Sequence, residues 1–227
     1  SGGVALNGVE SLGSPSGLGD ATLLGQFRLV GDEHSLWRLA LLGGVKLPTG
    51  STHERSPDGD RLETEHQPGT GSWDPLFGLA MSRRLGRVSL DANVLYQVSG
   101  AGAQSTTLGD RAQYNLGLSY RVGGQSHHEH VHEHEHGEGA HEHAHPDDPA
   151  LDLILELNGE WEGRQKVAGA VEEESGGQVL YLSPGVRLSM PEGWAASLSL
   201  SLPFAQRIRL SHPQNDYRVG VGVARVF

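Results

Sequence analysis

The 227-residue chain contains no cysteine and has a formal net charge of −11 at pH 7. The lack of cysteine excludes disulfides, thiolate metal sites and a cysteine nucleophile, and the acidic balance argues against a nucleic-acid partner. The length suits one domain, 1–227, and no apolar run approaches the roughly 20 residues of a membrane-spanning helix.

Nine segments alternate between apolar and polar residues, with the period of two that is typical of β-strands. They are 18–30, 36–48, 73–84, 87–98, 112–122, 151–165, 178–189, 194–206 and 216–227. In 151–165, for example, leucines at every second position oppose Asp152, Glu156 and Glu160. We therefore predict an all-β fold whose antiparallel strands each have one apolar and one polar face.

A soluble sandwich and a transmembrane β-barrel would both show this alternation. Two features favour the barrel: charges continue along whole polar faces, as in a wet lumen, and aromatic side chains occupy strand ends on the apolar face, as at the two bilayer interfaces. The aromatic residues are Trp37, Trp73, Trp161, Trp194, Tyr96, Tyr114, Tyr120 and Tyr217. Because single-chain bacterial barrels have even strand numbers, we expect 10–12 strands in the full protein, of which nine are visible.

The last segment, DYRVGVGVARVF from Asp216 to Phe227, resembles the closing strand of bacterial outer-membrane barrels, which ends in a Phe at the periplasmic rim. This resemblance implies the direction of every earlier strand. Counting back from Phe227 places the turns 31–35, 85–87 and 190–193 in the periplasm, and the connections 49–72, 99–111, 166–177 and 207–215 outside the cell. The long connection 123–150 then becomes a periplasmic loop.

Five stretches, in order, resemble a family of predicted outer-membrane transporters named for the meta pathway of phenol degradation. They are GLGD (Gly17 to Asp20), KLPTGS (Lys46 to Ser51), PGTGSWDP (Pro68 to Pro75), LDLILELNGEW (Leu151 to Trp161) and LYLSPGVRLS (Leu180 to Ser189). The similarity spans most of the chain. It implies a barrel in the bacterial outer membrane, surrounded by lipid, with a transport role.

A histidine-rich run, HHEHVHEHEHGEGAHEHAH, occupies residues 127–145 within the predicted periplasmic loop. Neutral imidazoles bind Zn, Cu and Ni, and interleaved glutamates can complete the coordination shell. The candidate ligands are His127, His128, His130, His132, His134, His136, His141, His143 and His145. A solvated linker and a pH sensor are alternative interpretations. We expect no required cofactor, with Zn, Cu or Ni only as ligands of the run.

Three functions follow from these features. The first is an outer-membrane channel linked to divalent transition metals through the histidine run. The second is a channel for small organic, aromatic compounds in which the run is incidental. The third is a barrel that anchors a periplasmic metal buffer. The sequence leaves the oligomeric state open.

Inward-facing charges divide by height in the predicted barrel. Basic residues lie near the periplasmic ends of the strands: Arg28, Arg38, Arg84, Arg121 and Arg187, against Asp152. Acidic residues lie near the outer ends: Asp20, Asp74, Glu160, Glu162 and Asp216, against Lys46, Arg164 and Arg218. An acidic outer mouth would concentrate cations and a basic inner ring would concentrate anions. Alternatively, these charges pair across strands and fill the interior.

Catalysis is not expected. His53, His66 and His212 fall in outer loops near Asp58, Asp60 and Asp216, but such pairs arise by chance in loops of this composition. The chain has neither a GxSxG nucleophile elbow nor an HExxH zinc motif.

Overall fold

The computed structural model describes residues 17–31, 35–122, 149–208 and 217–225. The strands in these ranges are β1 (Ala21–Val30), β2 (Trp37–Leu47), β3 (Asp74–Leu85), β4 (Val88–Gln97), β5 (Thr106–Thr107), β6 (Arg111–Val122), β7 (Ala150–Glu162), β8 (Lys166–Val167), β9 (Ala170–Val171), β10 (Gly177–Ser189), β11 (Trp194–Ile208) and β12 (Arg218–Arg225). The nine long strands form one sheet, and the short strands β5, β8 and β9 form a second.

The large sheet is an antiparallel meander in which each long strand pairs with the long strand that follows it along the chain. All nine predicted strands and their antiparallel arrangement are therefore confirmed, with ends that differ by a few residues. Within the described residues, β1 pairs only with β2 and β12 only with β11. The sheet is open between these two strands and is thus a partial barrel.

The connections differ in length at the two ends of the sheet. We call one end the turn end, because 31–36, 86–87 and 190–193 connect strands there. The other is the loop end, where 48–73, 98–110 and 163–176 connect them. Strands β6 and β7 are joined at the turn end, where Val122 pairs with Leu151. The segment between them includes the whole histidine run and lies outside the described residues.

The apolar face of the sheet is exposed. Leucine, valine and phenylalanine side chains on this face are accessible in every long strand, and Val221 of β12 reaches 78% exposure. A soluble sandwich would bury these side chains against a second layer, so the exposed apolar surface excludes that alternative and fits a surface that contacts lipid.

Aromatic side chains mark the two ends of the apolar face. Trp37, Tyr120 and Trp194 lie at the turn end, and Trp73, Tyr96, Tyr114, Trp161 and Tyr217 at the loop end. Both tryptophans at the turn end are covered by arginines: Arg83 lies 4.4 Å from the Trp37 ring centroid and Arg225 lies 5.2 Å from that of Trp194. Such amphipathic positions suit the boundary between lipid and water.

The opposite, polar face is the buried one. Tyr181 and Ser183 of β10 are each 1% exposed, although no second layer covers the sheet among the described residues. Curvature of the sheet toward its polar face brings strands that are not neighbours close together and accounts for this difference. The Arg218 side chain of β12 accordingly reaches Glu160 of β7 across two intervening strands, with Nη2 donating to Oε2 at 3.1 Å.

The small sheet, which the sequence pattern did not predict, consolidates three loops at the loop end. Strand β8 pairs with β5 and β9, and Ala103 N donates to Thr70 O at 2.9 Å. No helix among the described residues is long and apolar enough to cross a membrane.

Candidate functional site

The polar face carries a charged cluster at each end, and the two clusters have opposite composition. The loop-end cluster is Asp20, Lys46 and Asp74, which lie where β1, β2 and β3 meet the loops. Lys46 Nζ lies 3.1 Å from Asp20 Oδ2 and 2.6 Å from Asp74 Oδ2. All three side chains are almost fully buried. Because two carboxylates share one ammonium group, their burial as charges depends on Lys46.

The two carboxylates of this cluster also anchor the loops. Asp20 accepts hydrogen bonds from Gly50 N at 3.0 Å and from Thr70 N at 2.9 Å. Asp74 accepts one from Gly100 N at 2.9 Å. The stretches GLGD, KLPTGS and PGTGSWDP, which are separate in sequence, therefore meet at one buried site.

The protonation of Asp20 reflects these contacts. Burial alone would raise the pKa of Asp20, but hydrogen bonds from the Thr70 hydroxyl, from the backbone of Thr70 and Gly50, and from Lys46 outweigh it and lower the pKa from 3.8 to about 2. Asp20 therefore stays ionised down to strongly acidic pH.

Two glycines allow the loop to close on this site. A Cβ on Gly69 would lie 2.4 Å from the carbonyl carbon of Gly50, and a Cβ on Gly50 would lie 2.6 Å from the Gly69 Cα. The two backbone segments are thus in direct contact, and any side chain at either position would separate them.

The turn-end cluster is Arg121, Asp152 and Arg187, on β6, β7 and β10. Arg121 Nε donates to Asp152 Oδ1 at 2.9 Å, and Arg187 Nη2 donates to Asp152 Oδ2 at 3.0 Å. Asp152 is 3% exposed in its side chain, whereas the arginines are 40% and 45% exposed. Two bases share one acid here, which leaves an excess positive charge facing the interior.

Three further arginines lie at the turn end on the polar face. Arg28 and Arg38 are near neighbours, since their positions pair with Ala40 and Ser82, and Arg84 pairs with Ser89 nearer the strand ends. Among the described residues none of the three has an acidic partner. The described part of the turn end is therefore strongly basic.

The other acids that the sequence predicted for the outer mouth are paired where the structure describes them. Arg218 contacts Glu160, as described above, and Arg111 Nη2 lies 3.1 Å from Glu162 Oε1. Arg164 pairs with Glu173. Asp216 lies outside the described residues. For the four described acids, Asp20, Asp74, Glu160 and Glu162, the structure thus shows the pairing across strands that was the alternative to an open acidic mouth.

An acidic cavity nevertheless exists at the loop end, built from residues that the sequence did not single out. It measures about 510 Å³ and lies between the three described loops. Glu63, Glu65 and Glu172 line it, and no Lys or Arg of the described ranges does. Gln165 donates from Nε2 to Glu65 Oε2 at 3.0 Å and also contacts Glu172. Nothing in the strand pattern could have predicted this cavity, because it depends on how three loops pack together.

The histidines proposed for other roles are distributed as follows. The nine histidines of the run and His212 lie outside the described residues. His66 Nδ1 lies 3.8 Å from Glu65 Oε1, and the ligand atoms of Glu63, Glu65 and His66 lie within 4.8 Å of one another. His53 Nδ1 lies 3.2 Å from the hydroxyl of Thr52. Within the described residues, neither Asp58 nor Asp60 pairs with these histidines.

Comparisons with known proteins agree with the fold. A family model described as "Putative MetA-pathway of phenol degradation" matches residues 1–211. No curated protein matches the chain. Among solved structures, the crystal structure of an outer membrane channel from Pseudomonas putida F1 superposes with a TM-score of 0.65 at 17% sequence identity, covering 96% of this chain and 70% of that one. Neither match refers to a metal.

Proposed function

Because the chain belongs to the family described as the putative MetA pathway of phenol degradation, we propose that it forms an outer-membrane channel for small organic solutes. The observation that carries the proposal is the contrast between the two faces of the nine-stranded sheet. One face exposes apolar side chains between two sets of aromatic residues, as contact with lipid requires. The other face buries charged residues, as the wall of a water-filled passage would.

The proposal also gives an orientation. Short connections on the periplasmic side and long ones outside the cell are the rule for such barrels, so the loop end would face the medium. Solutes would first meet the acidic cavity between the loops, then the loop-end cluster, and finally the basic turn end. The histidine run would lie in the periplasm, since β6 and β7 are joined at the turn end.

Conductance in planar lipid bilayers tests the channel directly. Purified protein should produce discrete current steps, and phenol and benzoate should enter protein-loaded liposomes faster than they enter empty ones. Heat-denatured protein is the control. Inserted, correctly folded protein that neither conducts nor speeds solute entry would contradict the proposal.

A second candidate function rests on the sequence of the run, with nine histidines among residues 127–145. We propose that it binds Zn, Cu or Ni, either to deliver metal to the passage or to store it in the periplasm. Calorimetric titration with Zn should show several bound ions for the full chain and at most one after deletion of 125–148. Equal binding by both proteins would refute the assignment of the metal to the run.

The deletion also separates the functions. If the run is incidental to transport, solute entry and conductance stay unchanged without it. If metal passes through the barrel, the deletion should lower Zn flux into liposomes as well as Zn binding. Loss of binding with unchanged Zn flux would favour a periplasmic buffer anchored to the barrel.

A further inference from the structure

Two arginines that have no acidic partner among the described residues line a small cavity at the turn end. The cavity measures about 190 Å³ and is lined by Gln26, Arg28, Arg38, Leu39, Ala40, Ala80 and Ser82. It lies on the polar face of β1, β2 and β3 and is far larger than the roughly 15 Å³ needed to hold one water molecule. It is separate from the turn-end cluster, which is built on β6, β7 and β10.

The strand register explains the space. Arg28 is paired with Ala40, and Ala40 with Ala80, so one row across three strands carries a single large side chain. Arg38 is paired with Ser82 in the adjacent row of β2 and β3. Ala40 is buried at the base of the cavity. Two small methyl groups thus form an apolar base beside two long guanidinium side chains.

The charge of the cavity is unbalanced. Among the described residues, no aspartate or glutamate lines it, and neither Arg28 nor Arg38 forms an ion pair. In the part of the chain that the structure describes, the nearby acid on the same face is Asp91 of β4, whose Oδ1 accepts a hydrogen bond from the Ser82 hydroxyl at 2.6 Å. By contrast, Arg121 and Arg187 in the turn-end cluster share Asp152 between them.

We infer that this cavity is a binding site for the carboxylate of a small organic acid passing through the channel. Guanidinium groups match carboxylates in geometry and can donate two parallel hydrogen bonds to them, and the Gln26 amide adds a further donor. The methyl groups of Ala40 and Ala80 offer an apolar surface to the rest of the molecule. The inference rests on the proposed channel function and narrows its solutes to organic anions.

Benzoate is a suitable probe, because its carboxyl group is ionised at pH 7. Added to the full-length protein in a planar bilayer, benzoate should block the current reversibly. The double variant Arg28→Gln/Arg38→Gln should raise the half-blocking concentration about ten-fold or more, since it removes the charge-assisted hydrogen bonds to the carboxylate. Its reversal potential in a KCl gradient should also shift toward cation preference.

Arg84→Gln is the matched control, because it removes one positive charge at the same end without lining the cavity. This variant should leave the half-blocking concentration of benzoate within about two-fold of the wild-type value, because salt screens a charge that does not contact the anion. Benzyl alcohol, which is similar in size but neutral, should not block the current. Inorganic phosphate should block much more weakly than benzoate, because it lacks an apolar part.

Two results would overturn the site. One is an unchanged half-blocking concentration of benzoate in the double variant. The other is a loss of block in Arg84→Gln as large as that in the double variant, which would show that benzoate responds to the overall positive potential of the turn end and not to this cavity.

Failure of the channel itself can be recognised separately. If the protein does not conduct, calorimetric titration of detergent-solubilised full chain with benzoate still tests the cavity. Conductance that benzoate does not block would contradict the carboxylate site alone and would still support the channel function.

Discussion

The two charged clusters on the polar face are built in opposite ways. At the loop end two acids share one base, Lys46, and all three side chains are buried. At the turn end two bases share one acid, Asp152, and only the acid is buried. Removing the shared residue leaves like charges facing each other in both cases. Burial decides how much free energy of unfolding is lost on removal, because solvent screens the exposed arginines but not the enclosed carboxylates.

The largest effect is expected for Lys46→Met. Without the ammonium group, Asp20 and Asp74 would be two buried carboxylates with no cation, and breaking a buried ion pair in this way costs about 3–5 kcal/mol. Urea unfolding of the detergent-solubilised protein, followed by tryptophan fluorescence, should show this loss. Lys166→Met, at an exposed position in β8, is the control. Stability equal to that of the control would show that the cluster does not hold the loops.

A smaller effect is expected for Gly69→Ala. The added methyl group would meet the Gly50 backbone at 2.4 Å, so the loop must move away from Asp20, at a cost of about 1–3 kcal/mol. Gly59→Ala has open space for its Cβ but a positive φ of 91°, so it controls for backbone strain alone. Proteolysis of the loop 48–73 should be faster for Gly69→Ala than for Gly59→Ala; the reverse order would contradict the close contact.

The pH dependence of the loop end provides a third test. The pKa of Asp20 is lowered in the folded protein, from 3.8 to about 2, so its ionisation stabilises the fold above pH 4. That stabilisation, on the order of 2 kcal/mol, is lost as the pH falls through about 2. As the pH is lowered from about 4 to about 2, hydrogen exchange of the Gly50 and Thr70 amides should therefore accelerate relative to that of other loop amides. In Asp20→Asn this acid-dependent step should be absent.

The sequence predicted the strands far better than it predicted the sites. Alternation assigns every long strand because one face contacts lipid and the other does not, which forces the period of two over whole strands. The same alternation places Asp20, Lys46 and Asp74 on the polar face. It cannot show that they meet, since that depends on the register between strands and on the return of the loop at Thr70.

The loops were beyond prediction for a related reason. The short strands β5, β8 and β9 contain two residues each, too few for any period to be detected. Gln165 and Glu65 lie 100 positions apart in sequence and are joined by one hydrogen bond. Family resemblance pointed to the right stretches, GLGD, KLPTGS and PGTGSWDP, without indicating that they share one buried ion pair network.

The smallest effect is expected for Asp152→Asn. This change removes the shared acid of the turn-end cluster and leaves Arg121 and Arg187 facing each other, but both are 40% or more exposed. Water and salt screen such groups, so the loss should be about 1 kcal/mol and should shrink further in 1 M KCl. The loss for Lys46→Met should persist in the same salt, because its carboxylates are enclosed.

The variant should also change permeation, since the turn end gains one net positive charge. We expect the reversal potential in a KCl gradient to shift in the direction of anion selectivity, and the free energy of unfolding to fall only slightly. A stability loss for Asp152→Asn as large as that for Lys46→Met, and equally insensitive to salt, would mean that the turn end is as enclosed as the loop end. In that case the two clusters would not differ in their access to solvent, and the comparison between them would have no bearing on transport.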